Sequence, residues 1–298
     1  MPESNPRVPF RLGTDAPALQ PLDGCRLICH VFVNVEHWPF DRPMPRKMLD
    51  APHGKDPWPD VPNFSWVEYG LRQGMPRIAR ALAARGIPAS AAINASVIDT
   101  YPTCAALVRD SGWEFIGHGY EQRSMHWEPD EADVIRRSIE RLERYTGKKV
   151  RGWLGPGIAQ TEHTPELLRA NGIDHCYDWM VDDIPVWLKT RDGPLLGLPY
   201  TLETNDVPTF AIEKHASPVY FDRVRDTVEA LEPELATQPR VLTLALHSHV
   251  IGVPHRFKYL LAALDWLQRR DDCVFVTGSR IADWFVAQCP ADRAMTSR

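Results

Sequence analysis

The chain has 298 residues, of which 44% are hydrophobic and 24% are charged, a balance typical of a folded globular protein. Its 34 lysines and arginines against 39 aspartates and glutamates give a formal net charge of −5. This charge argues against a nucleic-acid-binding protein, because such a protein needs a basic face to displace counterions from phosphates. The length allows one or two domains, and a single α/β barrel is commonly of this size.

Three features of the sequence predict a cytoplasmic protein that makes no contact with membranes. The six cysteines are widely spaced and form no C-x-x-C motif, so we expect free thiols in a reducing compartment. The first 23 residues lack the apolar core of a signal peptide. The most apolar stretch, 241–253, is too short to span a bilayer and is interrupted by two histidines.

Short apolar runs alternate with amphipathic stretches along the first half of the chain. We expect residues 1–24 to form an extended arm and residues 41–60 to form a loop. The predicted strands are 27–35, 89–93 and 114–116, and the predicted helices are 71–84 and 103–109.

The second half repeats this alternation, with a β-rich excursion over 184–213. The predicted helices are 130–145, 164–172, 222–235, 257–269 and 279–287. The predicted strands are 149–154, 173–177, 240–246 and 273–276. This repetition predicts one parallel α/β domain, and the absence of a glycine-rich nucleotide motif favours a barrel over an open sheet. We therefore predict an N-terminal arm (1–24), a barrel (25–290) and a C-terminal tail (291–298).

Polar side chains follow the predicted strands at the barrel edge where catalytic residues gather. Strand alternation places Asn34 and Glu36 on one face, where a carboxylate and a carboxamide suit water activation and carbonyl orientation. His118 lies between two glycines, which allow a backbone to approach a ligand closely. His247 and His249 have the H-x-H spacing of some barrel metal sites.

Two further segments are ambiguous by themselves. Trp153 ends a strand near the predicted rim, although a tryptophan there is usually a core residue. Asn205 and Asp206 lie in a predicted turn, where such residues are common for backbone reasons alone.

Taken in order, several segments resemble the polysaccharide deacetylase (NodB homology, carbohydrate esterase 4) superfamily. They are most similar to its branch of bacterial allantoinases and cyclic-imide hydrolases. The segments that carry the resemblance are VNVE at 33–36, HGY at 118–120, RGW at 151–153, YDWMVDDIPVW at 177–187, LPYTLETND at 198–206 and ALHSHVIGVPHR at 245–256. The resemblance implies a single distorted (β/α)7 barrel that hydrolyses carbon–nitrogen bonds other than peptide bonds.

The departures from the superfamily pattern concern its metal. Zinc members carry two acids in the first motif and H-x-x-x-H in the second, whereas this chain has Asn34 at the base position and Gln122 in place of the second histidine. Glu36 and His118 would then be the only metal ligands, and zinc requires three good ones plus an open position. We therefore expect no cofactor, as the resemblance to the allantoinase branch also implies, with zinc or another divalent metal as the alternative.

The resemblance and the residues together lead to a hypothesis for catalysis. Glu36 would be the general base that activates water, with its pKa raised toward neutrality by burial. His118 and His247 would polarise the carbonyl and protonate the leaving nitrogen, in an order that the sequence leaves open. Asn34 and Gln122 would donate hydrogen bonds to substrate or water.

Further residues would form the substrate pocket. Trp153, Trp187 and Tyr200 would be flat walls for a planar ring, and Asn205 would bind its polar edge. His249 stands where relatives tend to have another residue, so the substrate end of the pocket differs from theirs.

Three functions follow from these features. The first is metal-independent ring opening of a cyclic amide, imide or ureide, an allantoinase-like reaction. The second is a metal-dependent deacetylase of an N-acyl sugar or small amide, with a metal recruited by His247 and His249. The third is a barrel that binds a small molecule without turnover. The arm, the 41–60 loop and exposed tryptophans also suit a subunit interface, and the resemblance implies a homo-oligomer, a dimer or a tetramer.

Overall fold

One curled sheet of nine strands forms the centre of the molecule in the computed structural model, which describes residues 3–51 and 54–291. The strands are β1 (Leu27–Val35), β2 (Ala89–Ile93), β3 (Glu114–Gly117), β4 (Gly152–Trp153), β5 (His175–Cys176), β6 (Val186–Leu188), β7 (Leu195–Gly197), β8 (Arg240–His247) and β9 (Cys273–Phe275). Their order is β6-β7-β5-β4-β3-β2-β1-β8, and β9 pairs with the start of β1. Only the β6–β7 pair is antiparallel, so seven consecutive strands are parallel.

Helices follow most of the strands. They are α1 (Val61–Tyr69), α2 (Met75–Ala83), α3 (Val97–Thr100), α4 (Pro102–Asp110), α5 (Glu131–Thr146), α6 (Thr164–Ala170), α7 (Val219–Leu235), α8 (Pro254–Gln268) and α9 (Gly278–Gln288). The predicted elements match these bounds to within a few residues, except that α1 and α3 were not predicted. Helix α1 carries the cap Asp60 and a proline in its first turn, but it has almost no amphipathic pattern.

The connection after β7 closes the barrel against β8. The Thr243 hydroxyl on β8 donates to the Pro199 carbonyl oxygen at 2.7 Å, and the Thr204 hydroxyl donates to the Thr243 carbonyl oxygen at 2.7 Å. Asn205 then forms an isolated parallel bridge with Ala245. The predicted distorted barrel of the NodB type is therefore confirmed, closed on one side by a loop instead of a full ladder.

Strand β1 is buried along its whole length, and its two faces contact different cores. Leu27, Val31 and Val33 pack outward among residues of the surrounding helices. Ile28 and Phe32 point inward and pack with side chains inside the barrel. Because side chains alternate along a strand, Asn34 continues this inward face at the carboxyl end of β1. The hydrophobic pattern of one strand thus aims the candidate residues at the barrel mouth.

The arm predicted for residues 1–24 lies against the barrel in its described part. The Arg7 guanidinium pairs with Glu166 at 2.6 Å, and the backbone N–H of Leu19 donates to Gln238 Oε1 at 3.1 Å. Residues 292–298 of the predicted tail lie outside the described residues. Within the described ranges, no helix has both the length and the apolarity needed to cross a membrane.

Candidate active site

A cavity of about 280 Å³ opens at the carboxyl ends of the parallel strands. Eight of the ten predicted site residues line it: Asn34, Glu36, His118, Gln122, Tyr200, Asn205, His247 and His249. A larger cavity of about 360 Å³ lies beside the arm, and its lining contains Arg11, Asp182, Asp183 and Glu203 but no histidine. The smaller cavity is therefore the candidate active site.

Among the described residues, Glu36 is the one carboxylate that lines the cavity, and it is 5% exposed. Its Oε2 accepts a hydrogen bond from the Trp38 indole N–H at 2.7 Å, and its Oε1 accepts one from Gln122 Nε2 at 3.0 Å. Gln122 Oε1 in turn faces Asn94 Nδ2 at 3.3 Å, which fixes the amide with its N–H group toward Glu36. Both carboxylate oxygens thus have fixed donors.

Two histidines face the same oxygen of Glu36. His118 Nε2 lies 3.6 Å from Glu36 Oε1, and His247 Nε2 lies 3.7 Å from it. The three side chains form an imidazole–carboxylate–imidazole arrangement, with a single negative charge between two groups that can each accept or donate a proton.

The proton positions on His118 follow from its neighbours. His118 Nδ1 lies 2.8 Å from the Leu154 carbonyl oxygen, which can only accept a hydrogen bond, so Nδ1 carries a proton. In the neutral imidazole, Nε2 therefore has a free lone pair that faces Glu36. The next peptide N–H, that of Gly155, donates to Asp178 at 3.0 Å, so one peptide unit links the imidazole to a second carboxylate.

Asp206 holds His247, and the sequence reasoning did not assign it this role. Asp206 Oδ1 accepts from His247 Nδ1 at 2.7 Å, while Oδ2 accepts from the backbone N–H groups of His247 and Ile251 at 2.7 and 3.1 Å. Burial lowers the pKa of His247, but the charges of Asp206 and Glu36 outweigh it and the pKa is raised. The sequence indicates only that 205–206 is an Asn-Asp turn. It does not indicate the contact with His247, because the turn comes to lie beside β8 only when the barrel closes.

The pKa of Glu36 contradicts the expectation that burial raises it toward neutrality. Burial does raise it, but the interaction with the His118 imidazole and the charge of His247, in their protonated forms, outweigh burial and lower the pKa to about 2. A carboxylate of such low basicity is a weak general base at neutral pH. Glu36 is therefore suited to orient water and to stabilise a neighbouring imidazolium.

The donor set does not fit the divalent metal that zinc members of the superfamily bind. Within the described residues, no group of three or more His, Cys, Asp or Glu side chains has the arrangement of a metal site. Gln122 presents an N–H donor to Glu36, where a metal would require a lone pair. His249 is packed edge-on between Trp38 and Trp66, at ring-centroid distances of 5.5 and 4.4 Å, and burial lowers its pKa to about 3. It is an aromatic neighbour that stays neutral.

Two of the aromatic residues that were expected to form walls of the substrate pocket do not line the cavity. Trp153 is fully buried in the core, and Trp187 donates its indole N–H to the Cys289 carbonyl oxygen at 2.8 Å. The buried Trp38 lines the cavity instead. The glycines beside His118 also differ in role from the expectation: a Cβ at Gly117 would lie 2.5 Å from the Trp153 ring. These glycines allow neighbouring side chains of the protein to pack closely against the backbone, instead of a ligand.

Like Gln122, the other two predicted carboxamides, Asn34 and Asn205, already form hydrogen bonds within the protein. Asn34 Nδ2 donates to the Leu246 carbonyl oxygen and to the Tyr200 hydroxyl, each at 3.3 Å. Asn205 Oδ1 accepts the Val207 N–H at 2.9 Å. These hydrogen bonds fix the positions of the two side chains at the cavity wall.

A further residue that the sequence did not indicate is Arg46. Its exposed side chain lines the cavity without a hydrogen-bond or ion-pair partner among the described residues.

A π-helical turn, Gly70–Gly74, joins α1 to α2, and its two end glycines lie close to the backbone of the segment that follows β8. A Cβ at Gly74 would lie 2.1 Å from the Ser248 carbonyl oxygen, a backbone atom that cannot rotate away. We expect Gly74→Ala to lower the free energy of unfolding by about 1–3 kcal/mol and to reduce turnover by displacing His247. Thermal unfolding and kcat measure the two effects. Gly13→Ala is the control, because nothing lies within 4 Å of its Cβ; equal behaviour of the two variants would contradict the prediction.

Comparison with known proteins agrees with this geometry. Residues 64–176 match the family described as polysaccharide deacetylase. A putative polysaccharide deacetylase of Schizosaccharomyces pombe is 24% identical over 245 residues, which are 76% of this chain and 77% of that protein. PuuE allantoinase has a TM-score of 0.82 at 23% identity, covering 93% of this chain and 96% of its own. A probable polysaccharide deacetylase of Pseudomonas aeruginosa PAO1 has a TM-score of 0.79 at 24% identity, covering 89% and 93%.

The fold and site thus define a distorted α/β barrel of the NodB type, with histidines and a carboxylate at the strand ends. The resemblance to the polysaccharide deacetylase (NodB homology, carbohydrate esterase 4) superfamily that the sequence motifs indicate is confirmed by the family match over residues 64–176. The two solved structures share the fold of this chain.

Proposed function

We propose that the protein hydrolyses a carbon–nitrogen bond of a small cyclic amide, imide or ureide without a metal ion. The observation that carries the proposal is the placement of His118 and His247 on either side of one ionised carboxylate. One imidazole presents a lone pair in its neutral form, and the other is held by Asp206 with a raised pKa. A base and an acid thus face the same cavity.

The positions of these groups support one sequence of steps for the hydrolysis. A water donates its two O–H groups to Glu36 Oε1 and His118 Nε2, and its oxygen attacks the ring carbonyl carbon. His118 takes the proton at its Nε2 lone pair, because its Nδ1 proton is held by the Leu154 carbonyl oxygen. The negative charge of Glu36 stabilises the imidazolium that forms. The carbon–nitrogen bond then breaks as His247 donates its Nε2 proton to the leaving nitrogen, which leaves a carboxylic acid and a free nitrogen terminus.

The cavity supports a small substrate. Its volume of about 280 Å³ lies near the lower end of the range for ligand sites, and carboxamides, imidazoles and apolar residues share its lining. Arg46 at the lining has no carboxylate partner among the described residues, which favours a substrate that carries an anionic group. A guanidinium binds carboxylates in a two-pronged geometry.

The proposal is tested by assaying the purified, untagged protein on a panel of succinimide, hydantoin, allantoin, hydantoin-5-acetate and N-acetylglucosamine, with metal content measured on the same sample. We expect hydrolysis of at least one ring, unchanged after exhaustive chelation. Activity that disappears with a stoichiometric metal, or acts only on N-acetylglucosamine, would show a metal-dependent deacetylase instead.

That deacetylase is the second candidate, and the name of the Schizosaccharomyces pombe relative favours it. The family also contains pseudoenzymes, so a barrel that only binds its ligand is the third. A metal-free protein that binds a ring, measured by calorimetry, but leaves it intact would support the third candidate.

A further inference from the structure

The hydroxyl of Tyr200 receives two hydrogen bonds. Asn34 Nδ2 and Asn205 Nδ2 each lie 3.3 Å from it. The ring is 2% exposed and packs edge-on against Phe32 inside the barrel at a centroid distance of 5.1 Å. The hydroxyl is therefore fixed in position at the wall of the candidate active site.

Backbone partners set the direction of both bonds. Asn34 must turn its NH₂ group toward the Leu246 carbonyl oxygen, because that oxygen can only accept. Asn205 must turn Oδ1 toward the Val207 N–H, because that group can only donate. Neither amide can be reversed without losing its backbone bond, so both present N–H groups to Tyr200.

The phenol must therefore accept twice from the protein and keep its own hydrogen free. Among the described residues no acceptor takes that hydrogen. Tyr200 also borders the cavity beside the arm, but the two amides at its hydroxyl both line the histidine cavity, so the hydroxyl end belongs to the latter. Burial and nearby carboxylates raise the pKa of Tyr200, so it remains a neutral donor at working pH.

We propose that Tyr200 is a catalytic residue whose hydroxyl donates a hydrogen bond to the carbonyl oxygen of the substrate as that oxygen becomes negative. This assignment rests on the proposed function and gives the metal-free site an oxyanion donor from its own side chains. Asn34 and Asn205 act as positioning residues, since their N–H groups leave the hydroxyl only one direction in which to donate. The donor is in place before substrate binds, which is the condition for effective stabilisation of a developing charge.

The first test is Tyr200→Phe, assayed on whichever panel ring the wild-type protein opens. We expect kcat to fall about 10²–10³-fold with little change in KM, as for loss of an oxyanion-hole donor. Tyr177→Phe is the matched control, because Tyr177 is also a fully buried tyrosine of the same aromatic cluster, yet it does not line the cavity. We expect its kcat to stay close to that of the wild type.

A second measurement separates a donor from a structural role. Replacing the attacked carbonyl oxygen by sulfur, as in monothiosuccinimide against succinimide, weakens hydrogen-bond acceptance at that atom alone. We expect the wild-type protein to prefer the oxygen substrate, and Tyr200→Phe to lose most of that preference. An unchanged kcat, or an unchanged oxygen-to-sulfur ratio, would overturn the assignment while leaving ring hydrolysis intact. A wild-type protein inert on every ring would reject the proposed function itself and this assignment with it.

Discussion

Glu36→Gln is expected to lower kcat about 10²–10³-fold on any ring that the protein opens, a size typical of losing a group that stabilises charge developing in the transition state. The substitution removes the single negative charge between His118 and His247, so the imidazolium formed during attack has no counter-charge. Substrate contacts elsewhere in the cavity stay, and KM should change little. Initial-rate kinetics at several pH values measure the effect.

The same substitution places an NH₂ group opposite one of two fixed donors, the Trp38 indole or the Gln122 amide. Leaving a buried polar group unpaired costs about 1–3 kcal/mol, so thermal unfolding must accompany the kinetics. Glu121→Gln is the matched control, because Glu121 pairs with Arg42 outside the cavity lining at 2.7 Å. A folded Glu36→Gln protein with wild-type kcat would refute the role given to Glu36.

Asp206→Asn is expected to lower kcat by about 10³–10⁴-fold, comparable to the same exchange behind a catalytic histidine. Two backbone N–H groups bind Asp206 Oδ2, so the asparagine oxygen must occupy that position and its NH₂ group must face His247 Nδ1. The neutral imidazole is then held in the opposite tautomer. It also loses the charge that favours its protonated form.

The pH dependence distinguishes this explanation from a folding defect. The pKa of His247 is raised, so the protonated acid persists to higher pH and activity declines as pH rises through that value. Without the Asp206 charge the pKa falls, and the decline in kcat should move to lower pH. Asp182→Asn, which removes a carboxylate paired with Arg11 outside the histidine cavity at 2.7 Å, should leave the profile in place. An unshifted profile for Asp206→Asn would contradict the proposed pair.

Much of this molecule is determined by local sequence pattern. The β-branched run at 27–35 is strand β1 with the predicted bounds, because a run that is apolar on both faces is stable only as a central strand of a barrel or sheet. Its alternation also places Asn34 and Glu36 on the inward side, and the strand-end positions of His118 and His247 place them at the same rim.

What only the tertiary structure decided is how those side chains interact. Asp206 reaches His247 because a loop far along the chain closes the barrel, and no local pattern records that contact. The pKa of Glu36 depends on histidines from two other strands, so burial alone predicted the wrong direction. Trp187 matched a family motif, yet its strand lies at the sheet edge beside β7, away from the cavity. The periodicity of a strand predicts which of its two faces a side chain lies on. The pKa of an ionisable side chain and the position of its proton depend on neighbouring residues that come together only when the barrel closes.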